Sequence, residues 1–285
     1  MPSRPFRWTL SRPEGLVRRP DSGPLTPLYL FSELRSCAAR VVGAAGERDL
    51  IFLGRSPESL FDYLSGVLHG TAWEGRLDLL LYSNRGNRVD AIRRDHPGAI
   101  EAMRAQFTEA GLAPAQLLTR PRPVAIIDLV AEGGTFEGFS DFLEAWSAEL
   151  GVNLRAWRSR LRFVGIVRQR KNSPNAFRWQ QHAPWLDRYP PGTACNVSVP
   201  SPLWNYLGNT QMKVTPSNPP RLWGRSELLS PPRQEEHLEA LQAAAQRYTS
   251  GTDLAERARF AALLSGQRSM RERWCRELVL ALRAR

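Results

Sequence analysis

A chain of 285 residues with 42% hydrophobic and 9% aromatic side chains can bury a full core, which excludes a disordered or fibrous polypeptide. No run of about 18 apolar residues occurs, and the segment from Met1 to Trp8 lacks the apolar stretch of a secretory signal, so a cytosolic protein without a membrane span is expected. The net charge of +11 invites a nucleic-acid partner, but only Lys171 and Lys213 among the 39 basic residues are lysines, and that bias reads first as a compositional habit.

Residues 1–27 carry prolines at positions 2, 5, 13, 20, 24 and 27, which suggests an arm over the domain or a loose tail. From Tyr29 to Ala45 the spacing of Leu30, Leu34, Cys37, Ala38, Val41 and Val42 predicts an amphipathic helix, with Ser32 as a candidate N-cap and Gly43 or Gly46 near its end. Asp49 to Leu53 reads as a short apolar strand, Gly54 to Ser59 as a turn and Leu60 to Leu68 as a helix. Leu77 to Tyr82 is a further buried strand, the basic stretch Ser83 to Gly98 a candidate mobile loop, and Ala99 to Ala110 a helix.

A strand over 124–130, a glycine-containing turn, a helix over 136–150 and a strand over 161–167 complete the alternation. Strands alternating with helices predict an α/β fold with a mostly parallel sheet flanked by helices, its core at 28–167. Residues 168–232, rich in Pro, Asn, Ser and Trp, read as an irregular hood-like lobe. Leu and Ala then recur at helical spacing from Gln234 to Tyr248 and from Thr252 to Ala284, helices expected to pack on the core or against a second copy of the chain.

The stretch from Val124 to Phe139 carries the chemistry. A buried strand runs into Gly133 and Gly134, which allow backbone N–H groups to converge; Thr135 adds a hydroxyl, and the following helix presents its positive dipole end, a combination suited to a phosphate. Asp128 is the acid at the strand's end. Glu132 is the nearest candidate base, or an acid that simply faces the helix dipole. In the lobe, Trp179, Gln180, Gln181, Asn205 and Tyr206 mix flat rings with amides; they could stack a planar base and read its edge, or form a satellite core.

Other chemistries find no support. Cys37, Cys195 and Cys275 lack metal-type spacing and an obvious disulfide pairing, and His69, His96, His182 and His237 are scattered. Neither a Walker-type loop nor a Gly-x-Gly-x-x-Gly after a strand is present.

The segment Ile126-Ile127-Asp128-Leu129-Val130-Ala131-Glu132-Gly133-Gly134-Thr135 resembles the phosphate-binding signature of the type I phosphoribosyltransferases. It matches their second acid, apolar pair, glycine and threonine, with Ile127 in place of the first acid. By that resemblance Ala131, Glu132, Gly133, Gly134 and Thr135 would hold a 5-phosphate, and Asp128 the ribose together with Mg2+. Gly54, Arg55, Ser56 and Arg88 would meet the diphosphate, and the stretch from Ser83 to Arg94, with Arg85 and Arg88, would be the loop that shields the transition state. The implied function is transfer of a 5-phosphoribosyl group from phosphoribosyl diphosphate to a small planar nitrogenous acceptor under the lobe, with Asp128, Glu132, Arg55 and Arg85 as its catalytic set. A ribonucleotide-sensing or nucleic-acid-binding regulator on the same scaffold is the rival expectation.

Overall fold

The chain alternates helix and strand through its first half: α1 (Leu28–Ala45), β1 (Asp49–Leu53), α2 (Glu58–Leu68), β2 (Leu77–Leu80), α3 (Val89–Asp95), α4 (Ala99–Glu109), α5 (Pro114–Thr119) and β3 (Val124–Val130). It continues with α6 (Gly134–Glu149), α7 (Leu154–Arg158), β4 (Leu161–Arg168), β5 (Ala194–Val199) and α8 (Ser201–Asn205), and ends in α9 (Glu235–Thr252), α10 (Leu254–Ser265) and α11 (Arg273–Arg283). This computed structural model describes residues 4–10, 26–84, 86–169, 178–231 and 235–284. Arg85, Arg285 and the segments 1–3, 11–25, 170–177 and 232–234 therefore lie outside the described residues.

Five parallel strands form one sheet in the order β2-β1-β3-β4-β5. Buried on both faces, β1 and β3 are almost continuous apolar runs, the pattern of a parallel strand covered by helices above and below. One face, carrying Phe52, Ile127, Ile166 and Val199, packs against α1, α2, α10 and α11. The other, with Ile51, Ile126 and Phe163, packs against α4, α6 and α7.

The expected α/β architecture is thus present, with corrections. The segment 168–232 holds a fifth strand, whose Val197 and Val199 face the core while Asn196 and Ser198 are exposed. The basic stretch 83–98 contains α3, seated by buried Val89 and Ile92, and its turn is fixed by the Asn84 side chain, which bonds both the N–H and the carbonyl of Asn87. Nor is Ser32 a cap: α1 starts after Pro27, and the Ser32 hydroxyl donates to Tyr29 O at 2.9 Å inside the helix.

Residues 4–10 of the N-terminal arm lie over the domain. Arg4 donates to Asp78 and Leu79 O beside edge strand β2, and Leu10 packs with Val214, Leu241 and Ala244. The last two helices, α10 and α11, join the apolar cluster around α1 through Phe260, Leu264, Leu278 and Leu282. No described helix is long and apolar enough to cross a membrane.

Helices α2 and α9 approach closely because two glycines meet at their crossing. A Cβ on Gly66 would land on the Tyr248 carbonyl, and one on Gly251 would come within 2.6 Å of Tyr63 O. Gly66→Ala should therefore cost about 2–3 kcal/mol in urea unfolding by forcing the helices apart. Gly134→Ala, whose added methyl meets nothing within 4 Å, should stay within about 0.5 kcal/mol. Equal effects at the two positions would refute the close-crossing account.

Candidate functional site at the sheet switch point

From β1 the chain builds outward to β2, then returns across β1 to lay down β3, β4 and β5 in the opposite direction. Such a reversal opens a crevice beyond the carboxyl ends of the two central strands, where open α/β sheets seat ligands. The loops after β1 and β3 lie at this switch point, and both turn on a left-handed glycine. Gly54 has φ +74°, and a Cβ there would lie 3.2 Å from the Tyr82 carbonyl oxygen; Gly133 has φ +90°. Neither position accepts a side chain without strain.

Gly133 is also the N-cap of the 16-residue helix α6, and no side chain caps that end. Behind it stands Trp179, 2% exposed, whose ring carbon Cε3 would lie 2.7 Å from a Cβ at Gly133. The indole is locked by its Nε1 bond to Asn196 Oδ1 at 2.7 Å and by Phe136 and Trp185. A buried aromatic wall therefore backs the turn, with Ala131 and Glu132 exposed and Gly134 and Thr135 half-buried. Asp128 is 6% exposed at the end of β3, and its Oδ1 accepts from Leu129 N at 2.7 Å, which fixes the carboxylate's orientation.

A segment from 206 to 223 crosses above these strand ends. It begins as a π-helical turn, Tyr206–Thr210, a rare conformation found frequently at functional sites. Gln211 Nε2 then donates to Ser56 O at 2.6 Å and also to Leu207 O, while Ser59 Oγ donates to Gln211 Oε1. Farther along, Asn218 Nδ2 donates to Leu81 O at 2.8 Å, and Trp223 stacks on Tyr82. The segment thereby ties together the ends of β1 and β2.

Two charged residues in this region escaped the sequence reading. Glu58, at the start of α2, is buried and accepts from Val214 N at 3.0 Å and from the Thr215 hydroxyl. Burial pushes its carboxyl up to about 7, against the pull of Arg7 and with added push from Asp62. Lys213 donates from Nζ to Leu207 O at 2.7 Å and makes a longer 3.5 Å contact with Arg55 O. Burial lowers its amine to about 8, while the negative charges of Glu58 and Asp128 oppose that shift and Arg55 adds to it. Lys213 had one signal in the sequence, as one of two lysines in a chain whose other basic residues are arginines; Glu58 had none, since its partners are remote in the chain.

The structure brings some expected residues together and separates others. Gly54, Arg55, Ser56, Asp128 and the turn 131–135 all lie at carboxyl ends of adjacent strands. Arg55 is half-buried and donates to Thr215 O at 3.3 Å. Arg88 is exposed at the start of α3, whereas Arg93 and Arg94 pair with Glu149 and Asp95. Trp179 and Tyr206 belong to apolar clusters on opposite faces of the sheet, so the five lobe residues do not form one wall. Gln180 is half-buried and bonded to Asn196, while Gln181 and Asn205 are exposed. Among the described residues, no three His, Cys, Asp or Glu side chains converge as a metal-binding group.

No family model, curated protein or solved structure matches the chain.

A pH prediction follows from Glu58. Its folded value of about 7 exceeds its ordinary 4.5, so the protonated form favours folding; that contribution is complete below pH 4.5 and lost as pH rises through 7. Lys213 acts at higher pH, contributing above 10.5 and losing its contribution as pH falls through 8. Between about pH 5 and 7.5 the wild-type protein should lose up to about 3 kcal/mol of stability that Glu58→Gln does not lose. Parallel pH profiles of Tm for the two proteins would count against this assignment.

Proposed function

We propose that the crevice between β1 and β3 binds a ribose 5-phosphate compound, and that the protein transfers the 5-phosphoribosyl group from phosphoribosyl diphosphate to a small planar nitrogenous acceptor. The observation that carries this reading is the pairing of two left-handed glycine turns, Gly54 and Gly133, on adjacent strands around one strand-end acid, Asp128. A turn backed by a rigid aromatic wall and opening an uncapped helix suits a terminal phosphate.

In this scheme the amides of Gly134 and Thr135, with the Thr135 hydroxyl, hold the phosphate, and Asp128 orients the ribose hydroxyls. Arg55 and Lys213 place positive charge beside the β1 turn, where charge builds on the departing diphosphate. Glu132, exposed on the turn, is the group available to take the acceptor's proton. One fixed carboxylate fits Mg2+, which needs few protein ligands when the substrate supplies oxygens; held at Asp128, Mg2+ would neutralise diphosphate charge. The segment 206–223, which bonds to the β1 loop and the end of β2, limits water at the reacting carbon.

One observation favours a binder without turnover. Ile127 occupies the place of the family's first acid and is wholly buried, leaving Asp128 alone at the strand end. The two readings separate in one set of measurements. Calorimetry with ribose 5-phosphate and Mg2+ at millimolar concentration should give saturable heat, weakened about tenfold by Asp128→Asn and abolished by Gly133→Val. Diphosphate release with a panel of planar acceptors then marks the transferase. Binding without release, with steeply salt-dependent RNA or DNA affinity, marks the regulator. No heat from either ribose 5-phosphate or phosphoribosyl diphosphate with Mg2+ removes both ribose-based readings.

A further inference from the structure

A cavity of about 350 Å³ lies between the start of α1, the last turns of α9 and the first turns of α10. None of the switch-point residues lines it. Guanidinium groups reach it from Arg35, Arg247 and Arg259, against the carboxylates of Asp253 and Glu256. Both acids are engaged. Asp253 accepts from Glu256 N at 2.9 Å as the cap of α10, and Glu256 receives Arg35 in a two-pronged contact, the Tyr63 hydroxyl at 2.8 Å and Arg259 at 3.3 Å.

Arg247 is the exception among these groups. It is 2% exposed, and among the described residues its Nε has no hydrogen-bond partner. Its Nη1 contacts to the described residues are long, 3.5 Å to Thr26 Oγ1 and 3.4 Å to Tyr206 Oη, while its Nη2 pairs at 3.2 Å with Asp62, a carboxylate that Arg7 also holds. A buried guanidinium that shares its counter-ion and has a donor unspent is costly, and a bound anion offsets that cost. The remaining wall suits the same ligand: Ser250 and Thr26 carry hydroxyls, Arg259 is 61% exposed at the mouth, and Phe31 gives an apolar side.

We infer that this cavity is an anion-binding site for a small phosphorylated molecule, separate from the switch-point crevice. Arg247 attracts the phosphoryl group from below, Arg259 engages it at the mouth, and the hydroxyls of Thr26 and Ser250 donate to its oxygens. The proposal does not depend on the ribose-binding reading, and it predicts a phosphate response that survives loss of the crevice.

The test is calorimetry of the full chain with inorganic phosphate, in the wild type, in Thr135→Glu and in Arg259→Glu. Thr135→Glu puts a carboxylate on the crevice turn and should leave the cavity's phosphate affinity within about twofold. Arg259→Glu reverses a charge at the mouth and should weaken that affinity about tenfold or more, with an unchanged thermal melt because the side chain is exposed. Arg247→Met serves as the second variant and should abolish the same heat. An isotherm unaltered by Arg259→Glu and Arg247→Met overturns the proposal, as does acetate binding as tightly as phosphate. Loss of phosphate heat in Thr135→Glu alone would assign the response to the crevice and would also overturn it.

Discussion

A carboxylate with almost no access to water holds the segment above the sheet in place. Glu58 takes both the amide of Val214 and the hydroxyl of Thr215, so the chain at 213–215 is pinned directly over the loop that follows β1. That pinning sets Lys213 beside Arg55 and Asp128 and brings the Thr215 carbonyl to the Arg55 guanidinium. Removing the acceptor would strand two buried donors, which costs more than the bonds themselves contribute. The same carboxylate lies 3.9 Å from Arg7, which also reaches Asp62 one turn along α2, and Asp62 in turn binds Arg247 of α9. Arm, central helix, C-terminal helix and covering segment therefore share one buried set of charges.

The excess of arginine finds part of its explanation at the opposite end of the sheet. Arg48 and Arg162 donate to the last carbonyls of α1, Ala45 O and Ala44 O. Arg120 donates to Ala110 O and Gly111 O just past α4, and Arg160 to Leu117 O in the last turn of α5. Cations at helix C-termini meet both unsatisfied carbonyls and the negative dipole end. A guanidinium can satisfy two such acceptors at once, which an ammonium on a flexible stem does less well. Asp49 sits among Arg76, Arg120 and Arg122 as the local counter-ion. Four of the 39 basic residues are thus engaged at helix ends within the fold.

What the sequence revealed, and what it concealed, follows from which residues are buried and by whom. The central strands β1 and β3 were legible because a strand covered on both faces must be apolar at successive positions. Strand β5 was not, since at the sheet edge only Val197 and Val199 are buried, in a segment crowded with Pro and Asn. Helix α3 stayed hidden among arginines because Val89 and Ile92 are its only buried residues. The turns at Gly54 and Gly133 could be read, as left-handed backbone demands glycine. The union of Glu58 with Thr215 could not, because it depends on how distant elements pack and leaves no local pattern. Trp179 shows the same limit from the other side: its flat ring looked suited to a ligand, and the fold uses it as the wall behind Gly133.

The lone acid at the end of β3 has a structural reason as well. Side chains alternate across a strand, so Ile127 shares its face with Ala125 and lies in the wholly apolar cluster under α1, while Asp128 shares its parity with Ile126 and Val130 on the α6 side. An ionised acid at position 127 would enter that cluster with Val164, Ile166 and Leu203 for neighbours, at a cost of several kcal/mol unless it stayed protonated. The apolar packing on this face of β3 therefore excludes a second strand-end carboxylate here. Charge that complements Asp128 comes from outside the strand, and Lys213, delivered by the segment that Glu58 holds down, contributes to it.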